Sequence, residues 1–535
     1  MNAPDLVLTG GRVRTLDPAR PHASAIAIAD GMIVAVGSDA EVRELAGPRT
    51  EVIDLRGAAV VPGLSDSHTH CLPSEVVPGG LDLTEARTLD DIRAGVAAEA
   101  ERVGPDGWIL GWGLDYNAFS ETGIHGALLE EAAGGRPALL RFMDFHTALA
   151  TPRALELAGV DGPRAFDEHA EGVCVDGRPT GELREAGAMA LVQAAVPPPT
   201  EEQRYAEAVD TLRRLTAAGL TATHLMDGSL ETLDLLRRLE AAGDLRMRIV
   251  APFWIKPETP REQWEALATH RFERGRRWRA GVAKFFIDGV IDSGTAWLYE
   301  PDSEGEGTEP FWPDPARYRE AVAFFAGHGF QCVTHACGDR GVREALDAYR
   351  DAPTWPGVHH RIEHIETLQP QDLPRFAAEG VIASMQMQHM MWLEPDRSDN
   401  WSRRLGDDRC DRAFQARALL DSGATLTLGS DWPVARYDPR EGMAAARLRR
   451  PPGMRDRAPY DDQALTAEEA LRGYTTWPAR TVGHADVQGR IAPGFWGDVT
   501  VFATDPVECD ADDLVAVPVL ATVVDGEVVH RDPSL

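Results

Sequence analysis

Hydrophobic and polar positions fall into two textures along this chain. Residues 5–62 carry short apolar runs broken by glycine-rich turns, in DLVLTGG, IAIADGMIVAVG and EVIDLRGAAVVPG. Asp30-Gly31 lies between alternating apolar runs, and such a pair predicts a tight hairpin because the turn needs positive φ at both positions. The end of the chain repeats the texture in GRIAPGFWGDVTVFATD and VLATVVDGEVVHR, with Asp525-Gly526 as a second hairpin. Pairing of the two ends predicts a small β-sandwich built from residues 1–62 and 486–535, with the rest of the chain inserted between its halves.

The middle reads differently. Eight apolar runs follow in order: AVVPGLSDSHTH, LTATHLMD, LRMRIVAPF, VAKFFIDG, FQCVTHA, VHHRIEHI, VIASMQMQ and ATLTLGSD. Helical patterns such as GVREALDAYR lie between most of them. Strand alternating with helix predicts a parallel sheet, and eight such units predict an α/β fold, a TIM-like (β/α)8 barrel, over residues 63–485. The gap after the first strand, about residues 72–219, is too long for a simple connection, so an inserted cap subdomain with helices of its own is expected there.

Potential metal ligands sit at the ends of these runs: His68, His70, Lys284, His335, His364 and Asp431. In S-H-T-H the two histidines are one residue apart, which on a strand sends both imidazoles to one face. A lone H-x-H is a weak signal. This one ends a strand at the rim where barrel enzymes keep their chemistry. Lys284 in VAKFFIDG has two readings: an ion pair with an acid such as Asp288, or a desolvated amine that captures carbon dioxide as a carbamate. A single strand-end histidine is usually a hydrogen-bonded core residue; His335 and His364 on successive strands, after H-x-H and a strand lysine, reverse that expectation. Asp431 either caps the turn after the eighth strand or serves as ligand and proton acceptor.

Composition narrows the partners. The chain has 535 residues, 43% of them hydrophobic, with 54 basic against 85 acidic residues and a formal net charge of −31. That charge argues against nucleic acid and anionic membrane surfaces as partners. Six dispersed cysteines form no C-x-x-C pair, as expected for reduced thiols in a cytoplasmic protein. The start MNAPDLVLTGGRV has no basic segment followed by an apolar one, so no signal peptide is read there. No apolar run approaches the ~20 residues of a membrane span. A homodimer is the base-rate expectation.

Together these motifs resemble the amidohydrolase superfamily, most closely its type-3 branch, which includes N-substituted formamide deformylase-like enzymes. The resemblance runs from VVPGLSDSHTH through KFFIDG, THACGD, RIEHIE, SMQMQH and GSDWPV to GRIAPGFWGDVTVF, with GWGLDYN, DFHTALATPRALELAG and GRPTGELREA in the insertion. It departs from the family pattern at Thr151, Met387 and Gly497. The resemblance implies one divalent metal, zinc by expectation, on His68, His70 and Asp431. A second would lie on His335 and His364, with carboxylated Lys284 bridging the two.

The implied activity is metal-dependent hydrolysis of an amide-type C–N bond in a small molecule. A metal-bridging hydroxide would attack, with Asp431 as general base. Alternatives are a hydrolase of another electrophile (lactone or ester), a mononuclear deaminase, and a non-catalytic metal-binding scaffold. Trp112, Tyr116, Phe142, Phe145 and His146 of the insertion, with Trp297, Gln388, His389 and Trp432 of the strand-end loops, are candidates for the substrate-binding wall. Their aromatic character points to an apolar or aromatic group on the substrate.

Overall fold

The computed structural model describes residues 3–72, 80–105, 107–166 and 169–535. Part of the expected cap, residues 73–79, lies outside them. Eight strands form one parallel sheet: β1 (Leu64–Thr69), β2 (Leu220–Leu225), β3 (Arg248–Trp254), β4 (Trp278–Phe286), β5 (Gln331–Ala336), β6 (Arg361–His364), β7 (Ile382–Met385) and β8 (Leu426–Leu428). Each pairs in parallel with its predecessor in the chain. The ends of the sheet meet beyond β8, where the Asp431 N–H donates to the His68 carbonyl at 2.8 Å and the His70 N–H to the Trp432 carbonyl at 2.8 Å. All eight predicted runs fall on a strand of this TIM-like barrel, although the third and fourth strands extend beyond their runs to Trp254 and back to Trp278.

The first predicted run divides. Ala59–Pro62 pairs antiparallel with Val499–Phe502 in a terminal sheet, and β1 begins after Gly63. The division needs a glycine, since a Cβ on Gly63 would lie 2.3 Å from Thr221 Oγ1. An apolar run of twelve residues therefore serves two sheets, with the chain changing layer at the one position without a side chain.

The termini build two sheets. One has the order Met32–Gly37, Ala25–Ala29, Leu6–Thr9, Glu51–Asp54. The other interleaves both ends of the chain as Glu527–Arg531, Val519–Val524, Val499–Phe502, Ala59–Pro62, Arg12–Arg14, His22–Ala23. Leu6, Ile26 and Ile28 of the first share one buried cluster with Val60, Val501 and Val523 of the second. Asp30-Gly31 and Asp525-Gly526 both take positive φ, and each closes an antiparallel hairpin.

The segment after β1 has a sheet of its own, a feature that its residue pattern did not predict. Its order is Glu171–Val175, Arg178–Arg184, Thr147–Ala150, Ala138–Phe142, Ile109–Leu114, Leu81–Asp82, and helix Leu89–Val103 packs on Ile109–Leu114. Helix Glu201–Ala217 packs on β2 and on the C-terminal hairpin instead. Among the described residues no helix is long and apolar enough to cross a membrane.

Candidate active site

The C-terminal ends of the barrel strands bring the strand-end groups into one buried chamber. Thr69 turns aside to meet Thr223, hydroxyl to hydroxyl at 2.7 Å. His68 and His70, on either side of it, face inward with ring centroids 5.6 Å apart. His68 Nε2 and His70 Nε2 lie 3.1 and 3.0 Å from the same atom, Asp431 Oδ1. Asp431 reaches this place from a left-handed backbone conformation, φ 58°, and His364 has φ 72°. Such conformations cost a non-glycine residue about 1–3 kcal/mol and persist where the surroundings impose them. Gly429 allows the close approach, because a Cβ there would sit 2.6 Å from the His68 nitrogen.

Both imidazoles are oriented from behind. His68 Nδ1 donates to Glu363 Oε2 at 2.7 Å, and His70 Nδ1 donates to Asp227 Oδ2 at 2.6 Å. With Nδ1 donating in this way, a neutral ring presents its Nε2 lone pair toward Asp431, an arrangement that a cation between the nitrogens and the carboxylate would satisfy. Asp431 Oδ1 is buried and accepts no hydrogen bond. Two imidazole lone pairs and an orphaned carboxylate oxygen make a donor set suited to a divalent transition metal.

A second group adjoins the first. His335 Nε2 lies 2.9 Å from the Gly289 carbonyl; donation there leaves Nδ1 as the lone-pair nitrogen. The His335 and His364 rings are 4.3 Å apart, and His364 is 4.9 Å from His68. Cys337 brings its sulfur within 3.5 Å of His335 Nε2, and these three residues form a possible metal-binding group. A further such group is His364, Glu366 and His389.

Charge sets the protonation of the chamber. Burial opposes ionisation of Glu363, yet Arg361 and His68 hold it down at about 2. Burial pulls His70 down, and Asp227 and Asp431 overcome it, raising the ring to about 9. Burial, with a smaller push from the Asp431 charge, raises Asp66 to about 7 although it accepts the N–H groups of His68 and Ser430. Lys284 is wholly buried, its Nζ has no hydrogen-bond partner among the described residues, and burial brings it down to about 8. The expected alternative, an ion pair with Asp288, is not formed. Asp288 instead accepts the N–H groups of Trp297, Cys337 and Gly338 at 2.9, 3.1 and 2.8 Å.

Two cavities, about 600 and 870 Å³, meet at this chamber and share Asp144, His146, His335, His364, Asp431 and Val434. The smaller is lined by Asp292, Glu366, His389, Trp392 and Trp401; the larger by His68, His70, Lys284, Trp254, Phe286 and Phe311. Of the expected wall residues, His146 and Phe145 line the larger lobe and His389 the smaller. His146 comes from the insertion, donates to Glu185 Oε2 at 2.8 Å and lies 4.9 Å from the His335 ring.

The other expected wall residues lie elsewhere. Trp297 gives its N–H to Asp288, Gln388 donates to the Arg436 carbonyl, and the Trp432 ring packs between Tyr437 and Arg214. Trp112 sits on the insertion sheet, its carbonyl bonded to the Leu83 N–H. Tyr116 stacks on Phe142 within the insertion core and donates to Asp144. An aromatic near a ligand motif faces the chamber only if its position in the loop points it there, which composition does not specify.

Sequence reading also passed over Asp227, Glu363 and Cys337. The signal was present for two of them: Glu363 directly precedes His364, and Asp227 ends the second run, LTATHLMD. Acids one shell behind histidine ligands are expected wherever a metal is held.

A model of the amidohydrolase family matches residues 51–530. Protein LONG AFTER FAR-RED 3 of Arabidopsis thaliana is 28% identical over 551 residues, covering 98% of this chain and 91% of that one. N-substituted formamide deformylase of Arthrobacter pascens is 27% identical over 547 residues, covering 98% and 97%. An uncharacterized metal-dependent hydrolase from Pyrococcus furiosus superposes with a TM-score of 0.71 at 23% identity, covering 94% of this chain and 100% of its own. With the chamber at the barrel mouth and a family match across nearly the whole length, the chain belongs to the amidohydrolase family, in its type-3 branch, and is a metal-dependent hydrolase.

Proposed function

We propose that this enzyme hydrolyses an amide-type C–N bond of a small molecule at a two-metal centre. The observation that carries the reading is the convergence of His68 Nε2 and His70 Nε2 on Asp431 Oδ1, with His335, His364 and the buried Lys284 lining the same chamber. His68, His70 and Asp431 would hold one ion, and His335 and His364 the second, with Lys284 between them as a carbamate. A charged ammonium without a partner beside two cations would be repelled, whereas a carbamate offers two anionic oxygens. Divalent ions bound here supply Lewis-acid activation of water and of the scissile carbonyl.

The protein groups do the rest. Glu363 and Asp227 keep protons on the Nδ1 atoms of His68 and His70, so both rings stay fixed with Nε2 directed inward. Asp431 Oδ2, 3.5 Å from His389 Nε2 and 4.0 Å from His364 Nδ1, faces the space between the two ligand groups. There it takes the proton of the attacking water and returns it to the leaving nitrogen. Phe286, Trp254 and Phe311 keep bulk water from the larger lobe and seat the apolar part of the substrate. The smaller, acidic lobe suits the amine product.

The test pairs Asp431→Asn with a panel of amides, esters and lactones, with metal content measured in each preparation. Amides are expected to lead the panel, and the variant should lose about 10²–10⁴-fold in turnover. Near-normal turnover by Asp431→Asn would remove Asp431 from proton transfer. Preference for lactones or esters over amides would replace the C–N assignment.

A further inference from the structure

Of 54 basic residues only two are lysines, Lys256 and Lys284. Both line the larger lobe. Lys284 belongs to the proposed metal centre, but nothing so far accounts for Lys256.

Lys256 stands just beyond β3, and its backbone is pinned: its N–H donates to Thr259 Oγ1 at 3.0 Å and its carbonyl accepts the Thr259 N–H at 3.0 Å. Its ammonium lies 4.3 Å from the Trp254 ring centroid. An aromatic wall connects it with the metal centre. His335 stacks on Phe286 at 4.7 Å, and Phe286 leans on Trp254 at 5.3 Å.

The ammonium has no carboxylate partner among the described residues, although the chain has a net charge of −31. The acids of this lobe are engaged elsewhere: Glu185 with His146, Asp227 with His70, Asp144 with Tyr116, and Asp431 beside His68 and His70. An ammonium resting on an indole face keeps its N–H donors for a third group. The lobe therefore runs from a hydrolytic end, along an apolar wall, to a positive charge without a protein counter-ion.

We propose that Lys256 anchors a carboxylate of the substrate, so that the substrate is an amide with an apolar segment along Phe286 and Trp254 and a carboxylate at its far end. The proposal rests on the reading of the chamber as the hydrolytic site. The carboxylate completes an ion pair over the Trp254 face, and its attraction to a fixed charge sets how far the scissile amide reaches into the chamber.

The scarcity of lysine gives a direct assay. Acetylation of the metal-loaded enzyme with an amine-reactive ester, read by peptide mass, reports on Lys256, because Lys284 is wholly buried. 3-Phenylpropionate should protect Lys256, and 3-phenylpropan-1-ol at the same concentration should not. By calorimetry, Lys256→Met should weaken binding of the acid at least about tenfold and bring the two dissociation constants toward a common value, whereas Lys256→Arg should retain the preference for the acid. Absent protection by the acid, equal protection by the alcohol, or an acid bound as tightly by Lys256→Met would each overturn the proposal; the last would put the carboxylate on the metals or on Arg141 of the same lobe instead. These readings need no turnover, so their failure is distinct from failure of the hydrolytic assignment.

Discussion

Glu363 Oε2 lies 2.7 Å from His68 Nδ1, while Glu363 Oε1 receives the Arg361 guanidinium. One wholly buried carboxylate thus orients a ligand candidate on β1 and neutralises a cation on its own strand. Arg361 also reaches the Ser67 carbonyl and His224 Nδ1. The backbone beside His68 and the ring of His68 are therefore held by one connected network that spans the barrel interior.

Glu363→Gln keeps the volume of the side chain and removes its charge. Metal affinity should fall about 10–100-fold, the usual effect of losing a group that orients a histidine ligand. Competition with a chelator measures it. Unchanged affinity would mean that Glu363 serves Arg361 alone.

Carbamate formation requires the neutral amine of Lys284, which burial holds at about 8. Reactivation of metal-depleted enzyme by divalent metal should accordingly depend on bicarbonate, and should be faster above about pH 8 than well below it. Lys284→Ala should lose activity and recover part of it with a short-chain carboxylate. Reactivation indifferent to bicarbonate would exclude the carbamate.

Much of this arrangement was legible in the residues. The barrel strands are buried on both faces and so read as near-continuous apolar runs. A polar group near the end of such a run stands out: His335 is next to last in QCVTHA, and His364 ends RIEH. Two things were hidden for physical reasons. The split at Gly63 depends on the approach of Thr221 from a strand more than 150 residues later, which no local pattern contains. The insertion sheet mixes parallel and antiparallel pairs with a bulged register between Gly111 and Leu114, so its strands lack the regular alternation that marks a half-exposed sheet. The orientation of the expected wall residues was hidden for a related reason. Trp297 and Trp112 are apolar enough to line a pocket, but the backbone contacts of their loops assign them to packing.

A pH effect on stability is expected at the opposite end of β6. His360 Nδ1 accepts the Cys332 N–H at 3.1 Å, and burial, with a smaller effect of His359, lowers its pKa from 6.5 to about 4. Between those limits the unfolded chain binds a proton that the folded chain does not. Its contribution to stability is therefore whole above about pH 6.5 and is lost as pH falls toward 4. For this half-buried ring the loss should be on the order of 1–2 kcal/mol. His360→Asn retains an acceptor without the titration. Denaturant unfolding of both proteins across this interval should show a shallower pH dependence in the variant, and parallel curves would remove His360 as the cause.

The terminal sheets are fastened to the barrel by Arg248 of β3. Its guanidinium donates to both oxygens of Asp498 at 2.6 and 3.0 Å, and Asp498 also accepts the Asp525 N–H at 2.7 Å. Arg248 lies 3.8 Å from the Trp496 ring centroid, so the cation sits between a carboxylate and an indole at the junction. Removing one member of a buried pair costs about 3–5 kcal/mol where the other charge is left alone; here Asp525 Oδ1, 3.4 Å from the Arg248 guanidinium, keeps part of the compensation and the cost falls below that range. Asp498→Ala should therefore lower the unfolding midpoint well beyond what its few lost atoms would explain. Arg248→Met together with Asp498→Ala should recover part of the loss, since no charge is then stranded. If the double variant were no more stable than Asp498→Ala alone, the junction would depend on the hydrogen bond to Asp525 rather than on the ion pair.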